Sequence, residues 1–84
     1  MKTADLSLIT EESVSHNTDI FKKVMLRNGD VPNITCFSQA RLIPGQTVTP
    51  HAHDDMHEIF FTQQGSGVIT VDGHDYPLKP GVCV

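Results

Sequence analysis

The apolar positions of this chain fall in short runs rich in β-branched and aromatic residues, at 21–26, 34–43, 57–63, 67–71 and 77–84. Between them stand turn formers: Asn28-Gly29-Asp30, Pro44-Gly45, Gly65-Ser66-Gly67, Asp72-Gly73 and Pro80-Gly81. β-Branched and aromatic side chains fit a pleated, half-buried surface, while Gly, Pro, Asn and Asp supply the conformations that reverse a chain. The pattern predicts an antiparallel β-sandwich or barrel. Its firmest local feature is Val68-Ile69-Thr70-Val71-Asp72-Gly73-His74-Asp75-Tyr76. Asp-Gly between strand formers marks a two-residue type I′ hairpin, which needs positive φ at both central positions. Residues 19–26 are ambiguous, because Ile20, Phe21, Val24, Met25 and Leu26 fit a helical stripe as well as a strand. The neighbouring Asn28-Gly29 and the β-rich remainder favour strand. Residues 1–15 read as an irregular polar arm, with Leu6, Leu8 and Ile9 able to form one short edge strand. No long helical pattern is present, so the expected fold class is all-β.

With 84 residues, 38% hydrophobic and 19% charged, the chain reads as one small globular domain, 1–84. By surface scaling, a domain of this mass leaves roughly 5,000 Å² exposed of the ~13,500 Å² of its unfolded chain. So small a core makes a lone monomer marginal, and a second subunit, a bound metal or both are expected to contribute. A net charge of −4 with six Lys and Arg offers no basic patch, so no nucleic-acid partner is expected. No apolar run approaches the length of a membrane helix, and the N-terminus does not read as a signal peptide, so no membrane association is expected. Cys36 and Cys83 each lie in an apolar segment and read as buried, reduced thiols of a cytoplasmic protein. Without a CxxC pair, a thiolate zinc site is excluded.

The candidate chemistry is concentrated in one place. The window His51-Ala52-His53-Asp54-Asp55-Met56-His57 holds three of the five histidines and runs directly into Glu58. Imidazole and carboxylate are ligands for Mn, Fe, Ni, Cu and Zn ions. In an extended chain His51 and His53 project from the same face and can converge on one ion. His57 and Glu58 point to opposite faces, so one of them joins such an ion more easily than the other. Spacing alone does not choose between them.

The series Gly45, His51, His53, Glu58 and Gly65, with five, one, four and six residues between successive members, resembles the first motif of the cupin superfamily. The resemblance covers roughly residues 20–84. It implies a cupin-type antiparallel jelly-roll barrel and a divalent metal held by the two histidines and the glutamate of the motif. In a subset of small cupins a histidine just before that glutamate serves as the ligand. His57-Glu58 is similar to that arrangement, which favours His57, with Glu58 as the alternative or as a partner orienting an imidazole. The second cupin motif opens with a Pro-Gly turn and supplies a further histidine about ten residues later. Pro80-Gly81-Val82-Cys83-Val84 resembles its opening, and the later histidine lies outside the sequence. The barrel is accordingly expected to be incomplete at its C-terminus, either as part of a longer protein or completed by another subunit. His74 and His16 are weaker substitutes for the missing ligand.

Other residues add less. Phe60 and Phe61 are adjacent, so one is expected inside the barrel and the other on an outer face. Arg41 and Tyr76 are candidate polar groups for a ligand pocket, and Asp54 and Asp55 read as a solvated loop. Two functions follow. One is a metal-dependent oxygenase, isomerase or cyclase acting on a small organic molecule. The other is a non-catalytic barrel that binds a ligand or a metal as a sensor or store. In either case a homodimer is expected, formed by strand addition or by exchange of the N-terminal segment.

Overall fold

A computed structural model describes all 84 residues. It holds no α-helix, only a 3-10 turn at Leu6–Leu8 and five strands: β1 (Glu12–Val14), β2 (Asn17–Arg27), β3 (Cys36–Arg41), β4 (Gly67–Val71) and β5 (His74–Leu78). All strand pairs are antiparallel. The chain divides into two compact units, Met1–His51 and Ala52–Val84. Each unit carries its own sheet.

The first unit is a three-stranded sheet in the order β1-β2-β3. Residues 15 and 16 connect β1 to β2, with Val14 paired to Asn17. The long strand β2 settles the ambiguity of residues 19–26. Ile20 and Val24, 1% and 8% exposed, are the buried hydrophobic side chains of the chain. Four residues is both one helical repeat and two strand repeats, so their spacing alone fits either element. A β-bulge then resets the alternation. Val24 pairs with Ser38 and Leu26 with Phe37, which leaves Met25 as the extra residue.

The N-terminal arm is more ordered than its composition predicts. The Asp5 carboxylate accepts hydrogen bonds from the Ser7 amide at 2.9 Å and its hydroxyl at 2.6 Å, closing a 3-10 turn where an edge strand was expected. The edge strand lies further on, at Glu12–Val14, and Lys23 Nζ ties the turn to β2 through the Leu6 carbonyl at 3.0 Å. Across the sheet the Arg27 guanidinium forks onto both oxygens of Glu12. These hydrogen bonds hold the Glu12 carboxyl below its ordinary range and the guanidinium above its own. Asp30 is lowered in turn, chiefly by the Arg27 backbone N–H that it accepts at 2.8 Å. Depressed carboxylates favour the fold at neutral pH, and that contribution is lost as pH falls through their lowered values. Both pairs face solvent, so the effect is small.

The second unit is built on the hairpin β4-β5, registered from Gly67 against Leu78 to Val71 against His74. Asp72 and Gly73 adopt φ of 50° and 76°, as a type I′ turn requires. Thr70 donates its hydroxyl to Asp75 directly across the pair. Residues 60–62 run antiparallel to 82–84, with Phe60 and Val84 exchanging backbone hydrogen bonds at 2.8 and 2.9 Å. Pro80-Gly81 makes the turn into this pair, Gly81 at φ 88° and the Val82 amide donating to the Lys79 carbonyl. The runs 57–63 and 77–84 therefore pair with each other only over 60–62 and 82–84, while Pro77 and Leu78 pair with β4.

Three expectations need correction. Cys36 and Cys83 are unbonded thiols, but both are exposed, because Cys36 begins the edge strand β3 and Cys83 sits on a short two-stranded ladder. Phe60 and Phe61 are both exposed, at 44% and 63%, so neither packs inside a barrel. The accessible surface is 7098 Å² against the roughly 5,000 Å² of the scaling argument. That scaling assumes a closed core. Here neither sheet closes on itself, and the cupin-type barrel is incomplete.

Candidate functional site

The path to the histidine cluster starts at the end of β3. Pro44-Gly45 turns the chain, with Gly45 at φ 87° and the Gln46 amide donating to the Ile43 carbonyl at 3.1 Å. Positive φ at the third turn position is why glycine stands there. The Gln46 side chain closes the same turn, accepting from the Ile43 amide at 2.9 Å and donating to the Asp19 carbonyl at 2.8 Å. One residue on, Asn17 Nδ2 donates to the Thr47 carbonyl at 3.4 Å. Further along, the rings of His16 and His51 stack with centroids 4.3 Å apart. Three attachments, 46 to 19, 47 to 17 and 51 to 16, thus lay residues 46–51 alongside the start of β2 and deliver His51 at a fixed place.

The His51 ring is also held within its own plane. Its Nδ1 lies 3.0 Å from the Thr49 carbonyl oxygen. A carbonyl only accepts, so Nδ1 carries the hydrogen of the neutral ring and Nε2 keeps the lone pair. A histidine ligand typically gives its other N–H to a carbonyl or carboxylate in this way.

Within the stretch 51–58, His51, His53 and Glu58 each offer a ligand atom, and the three atoms lie within 4.8 Å of one another. His53 Nε2 and Glu58 Oε1 are 3.2 Å apart. Two atoms bound to one ion at ordinary nitrogen and oxygen distances stand roughly 2.9–3.4 Å apart, so this pair fits a shared divalent ion. The donor set, two imidazoles and a carboxylate, suits first-row transition metals. All three residues are exposed.

The other predicted residues fall elsewhere. His57 is not in the group, so the backbone brings the carboxylate of Glu58 to His51 and His53. His74 opens β5 opposite Val71 and stays exposed at the hairpin. Asp54 and Asp55 are exposed in a bend. Arg41 lines an open cleft of about 240 Å³ in the first unit, together with Glu11, Asp19, Phe21, Ile43 and Gln46. Tyr76 is an exposed residue of β5. The roles of Gln46 and Asn17 were not legible in the sequence. The only signal for Gln46 is its place directly after Pro-Gly, where a side-chain carbonyl can close the turn it follows.

No helix is long and apolar enough to cross a membrane. The family model described as Cupin domain matches residues 38–84, which include the whole stretch 51–58. An oxalate-binding protein of Thermotoga maritima is 40% identical over 48 residues, 56% of this chain and 40% of its own length. The chain therefore spans about two fifths of that relative. No solved structure matches significantly. The family match spans more than half of the chain and agrees with the all-β architecture and the motif spacing: the chain belongs to the cupin family.

Proposed function

We propose that residues 51–58 bind one divalent transition-metal ion through His51, His53 and Glu58, and that the ion captures a small carboxylate ligand. The observation that carries this reading is the convergence of those three ligand atoms within 4.8 Å inside the segment that the cupin match covers. A bound ion would supply Lewis acidity toward an anionic oxygen. This chain's own part is to hold two neutral imidazoles and one carboxylate together, one charge short of neutralising a divalent ion. That residual charge favours an anion as the remaining ligand. The relative with oxalate in its name makes oxalate the first molecule to test. We propose binding rather than turnover, since that relative is named for binding. Titration of oxalate into Mn²⁺-loaded protein should release or absorb heat at one site per chain, and chelator-stripped protein should give none. Equal binding to stripped protein would contradict a metal-centred ligand site.

The working form we propose is a homodimer or larger. β3 stands at the end of the sheet order β1-β2-β3, an edge position at which a further strand can add. Phe37 on that same strand is exposed, and Ile59, Phe60, Phe61 and Val68 are exposed in the second unit. Light scattering at micromolar concentration should report at least about 18 kDa, twice the 9.3 kDa of one chain. A sharply melting 9 kDa species would contradict this. Two unbonded, exposed thiols suit a reducing compartment, and we place the protein in the cytoplasm.

A further inference from the structure

We propose that His16 is a positioning residue for the metal ligand His51, a role that rests on the metal reading above. The two rings stack with centroids 4.3 Å apart and planes inclined by 24°. Imidazole lone pairs lie in the ring plane, so rings stacked face to face direct them side by side and not toward one ion. His16 is thus a wall against His51 and not a fourth ligand.

The wall is itself anchored. His16 stands in the two-residue connection between β1 and β2, bounded by the Val14–Asn17 pair. Asn17, its neighbour, holds the Thr47 carbonyl, and Gln46 holds the Asp19 carbonyl. The connection and the chain leading to His51 therefore move together. The His51 ring is held by the Thr49 carbonyl at its Nδ1 and by the His16 ring on its face. His51 is exposed, so no packed core would hold the ring in their place. A ligand that must be ordered at the moment of binding binds more weakly than one already in place.

The test uses Co²⁺ as the probe, followed by equilibrium dialysis and by its visible absorption. His16→Ala and His16→Asn remove the ring, the second keeping a good turn former. His16→Phe keeps a ring without ligand nitrogens. Both ring-less variants should bind Co²⁺ roughly tenfold more weakly, the scale of losses when a partner of a metal ligand is removed. His16→Phe should recover to within about threefold of wild type. In the metal-free protein the His51 ring protons, shielded by the ring above them, should shift downfield in His16→Ala and His16→Asn and less so in His16→Phe.

The outcomes separate cleanly. Wild-type affinity in both ring-less variants overturns the positioning role while leaving the metal site intact. A failure of His16→Phe to recover overturns stacking as its cause. Absence of Co²⁺ uptake by wild type overturns the metal reading, and the positioning role with it.

Discussion

Chelator should lower the melting temperature of metal-loaded protein by roughly 10–20 °C at about pH 7.5. An ion that binds only the native state stabilises it by about 2.7 kcal/mol at a hundredfold excess over Kd. Each kcal/mol moves the midpoint of so small a domain by about 4–8 °C. The effect is large here because little else holds the chain: Ile20 and Val24 are the buried hydrophobic side chains, and both lie on β2. The three proposed ligands lie in a stretch without regular secondary structure, which an ion would cross-link. The sign of the pH dependence follows from the ligand form. Imidazole ligates when neutral, so protons compete with the ion and the stabilisation fades under acid conditions. Calorimetry with and without chelator, at neutral and at acid pH, checks both statements. A midpoint indifferent to chelator at neutral pH would show that the histidine stretch is not coupled to an ion.

Glu58→Gln should weaken metal binding by more than tenfold, and His57→Ala by no more than about threefold. The carboxylate stands 3.2 Å from His53 Nε2, whereas His57 is outside the group. Substituting Gln keeps an oxygen of similar reach but removes the charge, so the loss measures ligation by the carboxylate and not packing. Outside this role His57→Ala alters only an exposed position. Competition against a chromophoric chelator gives both affinities. The reverse ranking would move the third ligand to His57, the residue that the resemblance to small cupins favours.

Strong local rules made much of the fold readable. Asp72-Gly73, Pro44-Gly45 and Pro80-Gly81 each demand a particular backbone conformation, and each turn is found where the sequence puts it. The strand over 19–26 was harder, since the bulge at Met25 breaks the alternation that identifies a strand. The edge strand was misplaced because Leu6, Leu8 and Ile9 look like a pairing segment, while Asp5 and Ser7 form a local hydrogen-bonded turn instead. Burial was overestimated for a different reason. Apolar composition says which residues suit a core, but not whether a sheet closes around them, so Cys36, Cys83 and one of Phe60 and Phe61 read as more buried than they are.

The candidate site shows the same division. The i, i+2 spacing of His51 and His53 points to their convergence as on a strand face, and the two do lie together with Glu58, although in a stretch without regular secondary structure. The choice between His57 and Glu58 was not, since it depends on how the backbone turns through Asp54, Asp55 and Met56. The attachments by Asn17, Gln46 and His16 join residues 27 to 35 positions apart, and such pairings leave no local trace in the sequence.

The most direct test of the metal reading is elemental analysis of untagged protein, compared with the His51→Ala/His53→Ala double variant after equilibration with the same Mn²⁺ or Zn²⁺ buffer. The account predicts about one ion per wild-type chain and almost none in the double variant. Without an ion, the contact between His53 Nε2 and Glu58 Oε1 is an ordinary surface pairing of an imidazole with a carboxylate. Equal metal content in the two proteins would contradict the proposed site.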